Sequence, residues 1–209
     1  MSKRQRHLYY ICNFLVFAAL AMVNTVMIPY MKAVGYSLMQ QSVILAANAL
    51  IAIIGQFLFG YLCDRHHSMK RFFLIAYISF VAGTCLMLIR EDQLFWYHLF
   101  SIALSSGLVK VVSGLNETWM LLADADHYGH LRAAGALGLT AGSPIAGYIA
   151  QMMSFRSLMW AFLALSALIL VLLGRCKDVK KDKSSNLKDD LKDLLSNRRY
   201  LLLVLIFLL

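Results

Sequence analysis

Long runs of apolar residues, each closed by a cluster of charge, set the pattern of this chain. Read from one charge to the next, uncharged stretches cover residues 8–31, 33–63, 72–89, 93–109, 133–155 and 157–174. A membrane-spanning helix needs about 20 mostly apolar residues, and each stretch reaches or approaches that length. The fourth continues past one lysine, Lys110, to about Leu122. The pattern predicts six spans, at about 8–31, 42–63, 72–89, 94–122, 132–153 and 157–174. A seventh run opens at Tyr200 and stops at Leu209. Ten helical residues rise about 15 Å, half of the hydrocarbon thickness, so the chain is expected to be a fragment that stops within a seventh span at 200–209.

Composition agrees with this pattern. Of 209 residues, 60% are hydrophobic and 15% charged, with a mean hydropathy of +0.66. A soluble domain is about 45–50% apolar and about 25% charged, so a soluble globular fold is excluded. The net charge of +9 would suggest a nucleic-acid partner in a soluble protein. Here the basic residues cluster between apolar blocks, as in a membrane protein whose loops face an anionic cytoplasm, and no nucleic acid is expected. The basic start, MSKRQRH, looks like a signal peptide. The apolar core behind it is far longer than the 7–15 residues of such a peptide, so it is read as an uncleaved first span.

Orientation follows from the loop cations. Three lie in the N-terminal tail (Lys3, Arg4, Arg6), three between spans two and three (Arg65, Lys70, Arg71) and nine in 175–199. With Arg132 at a helix entrance, sixteen stand on one side against Lys32, Arg90 and Arg156 on the other. The expectation is a multi-pass protein of the cell (cytoplasmic) membrane with its N-terminus inside. Within the basic loop 175–199, Leu187, Leu191, Leu194 and Leu195 recur at helical spacing among Lys and Asp, predicting an amphipathic helix. The four cysteines show no CxxC or metal spacing and read as buried, reduced thiols.

Residues 1–174 thus form an all-α, six-helix bundle, followed by a basic loop and the start of another span. That is the layout of the first half of a two-half transporter, each half built from paired three-helix repeats. Residues 1–90 and 91–174 show no convincing identity to each other.

The second span ends GQFLFGYLCDRHHSMKRFFL. Gly60 would permit close helix approach. Asp64, at a helix end, can pair with a neighbouring group in one conformation and so bias a two-state equilibrium. With Arg65 and Lys70, these residues resemble the loop between helices two and three of the major facilitator superfamily, G-x-x-x-D-R-x-G-R-[RK]. The family's second glycine is His67 here, and a usual basic position is Met69. The resemblance implies a conformational gating role for Gly60, Asp64, Arg65 and Lys70.

A second stretch, Tyr128-Gly129-x-x-Arg132-x-x-Gly135-x-x-Gly138, is similar to a segment of the lactose-permease-like and nucleoside–proton symporter branch; the family's serine is Ala136 here. Gly138, Gly142, Pro144 and Gly147 follow along the same helix and read as close packing at a kink. The drug-antiporter signature of that helix is met only in part by Ser143-Pro144-x-x-Gly147.

Ionisable groups deep in a bilayer cost at least about 2.5–3.5 kcal/mol on insertion scales and so face a cavity or a partner. Lys110 stands out. Steps of three, four and seven place it on one stripe with Ala103, Ser106, Gly107, Ser113, Gly114 and Glu117, a face expected to turn to the bundle interior. Glu117 lies about 10 Å further along the helix, too far to pair with Lys110, and Arg132 is its better partner. In the permease branch a carboxylate on helix four and an arginine on helix five contribute to the substrate site. The resemblance therefore implies substrate or proton roles for Arg132 and, more loosely because its spacing differs, for Glu117; Lys110 is a candidate for the same roles by its position in the span, and Asn24 on the first span is a further candidate. Asp124-x-Asp126-His127-x-x-His130 has the chemistry of metal ligands, but it reads as a hydrated loop, and no metal is assigned. Neither HExxH nor GxxxxGK[ST] occurs, no nucleophile and base assemble, and neither an enzyme nor a cofactor is expected.

The expected function is secondary active transport, a proton-coupled uptake of a small polar solute such as a sugar or nucleoside. Its partners are that solute, protons, the bilayer and a missing C-terminal half. A drug or metabolite antiporter and a non-transporting half-bundle serving as sensor or assembly subunit are the alternatives.

Overall fold

A computed structural model describes residues 3–179 and residue 196. Within residues 3–179 it has six helices: α1 (Lys3–Ala33), α2 (Leu38–His66), α3 (Met69–Ile89), α4 (Phe95–Ala123), α5 (Tyr128–Met152) and α6 (Phe155–Arg175). A single 3₁₀ turn, Ala125–His127, joins α4 to α5. The amphipathic helix expected around 187–195 and the span expected at 200–209 lie outside the described residues.

Most helices outlast the apolar run that announces them, and at three of the starts a capping serine sets the end. Ser37 caps α2 in a reciprocal box with Gln40. Ser68 caps α3, and Ser154 caps α6 by accepting from the Ser157 backbone at 3.0 Å. The tight α1–α2 turn passes through Gly35 at φ +93°, a conformation that glycine adopts without a Cβ clash.

Five of the six helices are long and apolar enough to cross a membrane; α5 is not among them. Its stripe Leu131, Gly135, Gly138, Gly142, Ala146 is buried and lies along α1 at backbone contact. A Cβ placed on Gly138 would fall onto the Phe14 carbonyl oxygen, and one on Gly142 would sit 2.8 Å from the Ala18 Cα. α5 therefore belongs to the bundle through shape, not hydropathy. The packing role expected for Pro144 and Gly147 does not hold. Pro144 is exposed, α5 runs through it unbroken, and nothing lies within 4 Å of a Cβ on Gly147. Gly147 follows Ala146 by one residue, about 100° around the helix from the contact stripe.

The helix contacts repeat in a way the sequence conceals. α1 packs along α5 as α4 packs along α2; α3 lies on α4 as α6 lies on α1; α2–α3 and α5–α6 touch lightly; α1–α4 and α3–α6 meet each other. Exchanging α1, α2, α3 for α4, α5, α6 leaves these contacts unchanged, although the light α4–α5 contact has no α1–α2 counterpart of the same extent. Three crossings reverse chain direction, so the two triplets are related as an inverted repeat.

Both ends of the bundle are tied. At one, His98 is fully buried between Tyr30 and Tyr36, with Nε2 2.9 Å from Tyr30 Oη and Nδ1 2.7 Å from Tyr36 Oη. Tyr30 also donates to the Met87 carbonyl at 2.6 Å, so α1, α3, α4 and the first turn are fixed together. At the other, the Lys70 ammonium donates to the carbonyls of Gly174 and Cys176 at 2.8 and 2.7 Å. Asp178 in turn accepts from the Lys70 backbone N–H at 2.9 Å and from Ser68 Oγ at 2.6 Å. A cation thus sits at the C-terminus of α6 and a carboxylate at the N-terminus of α3, each favoured by the helix dipole it faces. Cys12 and Cys176 lie with their sulfurs 3.7 Å apart beside this joint, a proximity that no sequence spacing announces.

Candidate functional site

The small-residue stripe on α4 does not run through the bundle interior along its whole length. At Ala103, Ser106 and Gly107 it is buried; Ser106 donates to the Met27 sulfur at 2.8 Å, and a Cβ on Gly107 would meet Ile51 of α2. From Lys110 on it emerges. Lys110 and Gly114 are exposed and the Glu117 side chain is 35% exposed, forming an open face rather than the interior one expected. The opening lies on the α2 side: a Cβ on Gly55 would touch Val111, but nothing lies within 4 Å of one on Gly60 or Gly114, while α1 stays against α4 through Asn13–Asn116 and Tyr9–Trp119.

On this open face Arg132 Nη1 meets Glu117 Oε2 at 2.9 Å, joining α5 to α4, and the same nitrogen lies 3.3 Å from Tyr128 Oη. The arginine is 59% exposed. Neither group is sealed away, so both have hydrogen-bonding capacity for a solute. Lys110 lies two turns along α4, about 10 Å from Glu117. Asn24 is exposed on α1. Antiparallel pairing of Met27 with Ser106 and of Asn13 with Asn116 sets Asn24 within about one turn of the level of Lys110. Beside them a groove of about 190 Å³ between α2 and α4 is lined by Gln56, Gly60, Val111, Gly114, Leu115 and Thr118. A larger hollow of about 600 Å³ lies at the far end among loop residues 89–92 and 154–156; its Arg90–Asp92 pair is 3.7 Å apart and largely exposed, so it is a surface feature separate from this face.

The loop between α2 and α3 is ordered by a different logic from close packing. Gly60 has nothing within 4 Å of a Cβ position, so it opens the groove instead of admitting a neighbour; Gly55, where a Cβ would be 2.7 Å from Val111, is the close contact on α2. Arg65 Nη1 lies 3.1 Å from Tyr61 Oη, with the guanidinium over that ring. Asp64 sits in the last turn of α2. His67 takes the left-handed conformation, φ 51° and ψ 31°. That is the backbone geometry a glycine would supply, and histidine is among the side chains that enter it most readily. The replacement therefore preserves the turn.

A family model described as Major Facilitator Superfamily matches residues 9–209. The chain belongs to the major facilitator superfamily. Among curated proteins, none matches it. Membership makes the chain a membrane transporter of that superfamily, whose members are generally not enzymes.

Two further polar sites in this superfamily member escaped sequence reasoning. Asn13 accepts from the Asn116 amide and donates to the Leu131 carbonyl, linking α1, α4 and α5 in a fully packed region. Asparagines within apolar runs were the readable signal. The second is Asp124, read from sequence as hydrated loop. Its carboxylate is only 7% exposed, held by Arg6 Nε at 2.8 Å and His127 Nδ1 at 3.1 Å. Burial opposes its charge, but the hydrogen bonds from His127 and Arg6 outweigh burial and hold the carboxyl below its usual range. This contribution to stability is complete above the unfolded-chain pKa near 3.9 and is lost only as pH falls through the lower folded value. Asp124→Asn is expected to destabilise the bundle by about 1–3 kcal/mol, the cost of removing a hydrogen-bonded charge from its partners. Thermal unfolding of the detergent-solubilised protein at neutral pH measures it.

Proposed function

We propose that this bundle is one wall of a secondary active transporter that takes up a small polar solute, of the sugar or nucleoside class, together with protons by alternating access. The N-terminus faces the cytoplasm, in keeping with sixteen cations on that side against three. The observation that carries the reading is the half-exposed Glu117–Arg132 pair joining α4 to α5. Charged groups on a membrane helix that stay this exposed face water rather than acyl chains, so the face bearing the pair is read as the cytoplasmic part of a water-filled cavity, closed by a second six-helix half. A carboxylate that accepts and a guanidinium that donates suit the hydroxyl groups of a solute, and protonation of Glu117 would release Arg132, coupling the two cargoes. Lys110 supplies a second cation along the same wall, and Asn24 an amide from α1.

Gly60, Asp64, Arg65 and Lys70 bias the equilibrium between the two faces of transport. Lys70 does so from within the bundle, by holding the end of α6 against α3.

Lys110→Ala in the full-length transporter is expected to cut proton-driven uptake of radiolabelled sugars or nucleosides at least about tenfold with surface expression unchanged, as for one lost charged contact. Undiminished uptake removes Lys110 from the site. Efflux of solute in place of accumulation in energised cells would identify an exporter.

A further inference from the structure

A cavity of about 380 Å³ opens between the start of α1 and the end of α6, lined by Arg4, Gln5, His7, Leu8, Ile11 and Arg175. Its chemistry is layered. Arg4, His7, Leu8 and Ile11 follow one another at steps of three, one and three, on a single face of α1. Arg4 and His7 come first and the apolar side chains follow, so the lining turns from polar to greasy over about 10 Å. Arg175, in the last turn of α6, adds a second guanidinium from the opposite wall.

Nearby carboxylates are already engaged: Asp124 by Arg6 and His127, and Asp178 by Ser68 and Lys70. Among the described residues, Arg4 and Arg175 form no ion pair. The first turn of α1 contains no acidic residue, so its unpaired N–H dipoles add to the positive field. His7 turns Nδ1 to the Lys3 carbonyl at 2.7 Å, which leaves Nε2 for a ligand. Ile11 is half exposed, providing an apolar surface directly beneath the cations.

We propose that this cavity is a binding site for an anionic phospholipid of the adjoining leaflet. Its phosphate is held between Arg4 and Arg175, and its acyl chain lies along Leu8 and Ile11. A soluble phosphate would satisfy the arginines but leave the apolar floor uncovered; a zwitterionic lipid would cover the floor but bring its own cation to the arginines. Only an anionic lipid matches both layers. Occupancy would tie the start of α1 to the end of α6.

The test uses the full chain in detergent micelles, titrated with spin-labelled phosphatidylglycerol or phosphatidylcholine, with unlabelled lipid and inorganic phosphate as competitors. The expected result is preferential immobilisation of phosphatidylglycerol. Its affinity should fall about fivefold in Arg4→Gln or Arg175→Gln and about 30-fold in the double variant, equivalent to about 1 kcal/mol for each cation near an anionic surface. Arg4→Lys with Arg175→Lys should retain most of the preference, and Arg156→Gln, at the other end of the bundle, all of it. If the double variant does not fold, the single variants decide. An unchanged phosphatidylglycerol affinity in the glutamine variants overturns the proposal, as does equal binding of the two lipids. Inorganic phosphate displacing the lipid as well as unlabelled phosphatidylglycerol does would reassign the site to a soluble anion.

Discussion

Arg132→Gln is expected to leave folding intact and to reduce transport by about 10- to 100-fold, the scale of losing charged hydrogen bonds at about 1.5–3 kcal/mol. Two observations favour this outcome. The guanidinium is more than half exposed, so its removal opens no cavity in the packed core. Its partner Glu117 is also partly exposed, and water can solvate the carboxylate once it is abandoned. A purely structural pair predicts the opposite balance: lowered stability with normal uptake by the molecules that do fold. The exchanged protein, Glu117→Arg with Arg132→Glu, separates the readings further. It restores attraction between α4 and α5 while reversing which helix presents the acceptor, so a structural bridge is rescued and a substrate site is not. Initial uptake rates, normalised to surface protein and set beside thermal midpoints, give both quantities for each variant.

Much of the bundle is legible in the sequence because lipid imposes a simple rule: apolar runs about 20 residues long, separated by charge. The rule locates the helices but misplaces several ends, since Ser37, Ser68 and Ser154 carry helices beyond the apolar limit through capping hydrogen bonds. The rule fits α5 least well, and the fit of its glycines to α1 adds what hydropathy does not. The ion pair between Glu117 and Arg132 could be anticipated from the distance that separates Glu117 from Lys110. What sequence could not supply was sidedness within the bundle. Ser106 and Lys110 share a helical stripe, yet one is packed against Met27 and the other is open, because burial depends on where α1 and α2 cross α4. The joints at the helix ends were hidden for a related reason. Tyr30 with His98, Arg6 with Asp124 and Cys12 with Cys176 are separated by 68, 118 and 164 residues, and only the paired packing of the two triplets brings them together.

Gly138→Leu is expected to prevent assembly of a native bundle, and even Gly138→Ala should cost more than the usual overpacked site, about 1–3 kcal/mol. The atoms in the way are backbone. Beyond the Phe14 carbonyl oxygen, a Cβ at residue 138 would stand 2.9 Å from the Phe14 carbonyl carbon and 3.2 Å from the Ala18 nitrogen. No rotamer change relieves that clash; α1 and α5 must separate. Gly107→Ala, at the corresponding contact between α4 and α2, should be milder. Its nearest neighbour there is Ile51 Cγ2 at 2.7 Å, which a rotamer change can move; Ile51 Cβ at 2.8 Å and the Asn48 carbonyl oxygen at 3.1 Å are held by α2 but stand farther off than the Phe14 oxygen does from a Cβ at residue 138. Gly147→Ala provides the opposite sign: it meets nothing within 4 Å and should gain up to about 1 kcal/mol from helix propensity. Unfolding midpoints of the three alanine variants in one detergent should therefore fall in the order Gly147, Gly107, Gly138, and a Gly138→Ala midpoint equal to wild type would contradict the close approach of α5 to α1. The consequence reaches the functional face, because Gly138 follows Arg132 by six residues, about 9 Å along α5. Any separation of α5 from α1 moves the guanidinium relative to Glu117, so transport should be lost even in the fraction of molecules that fold.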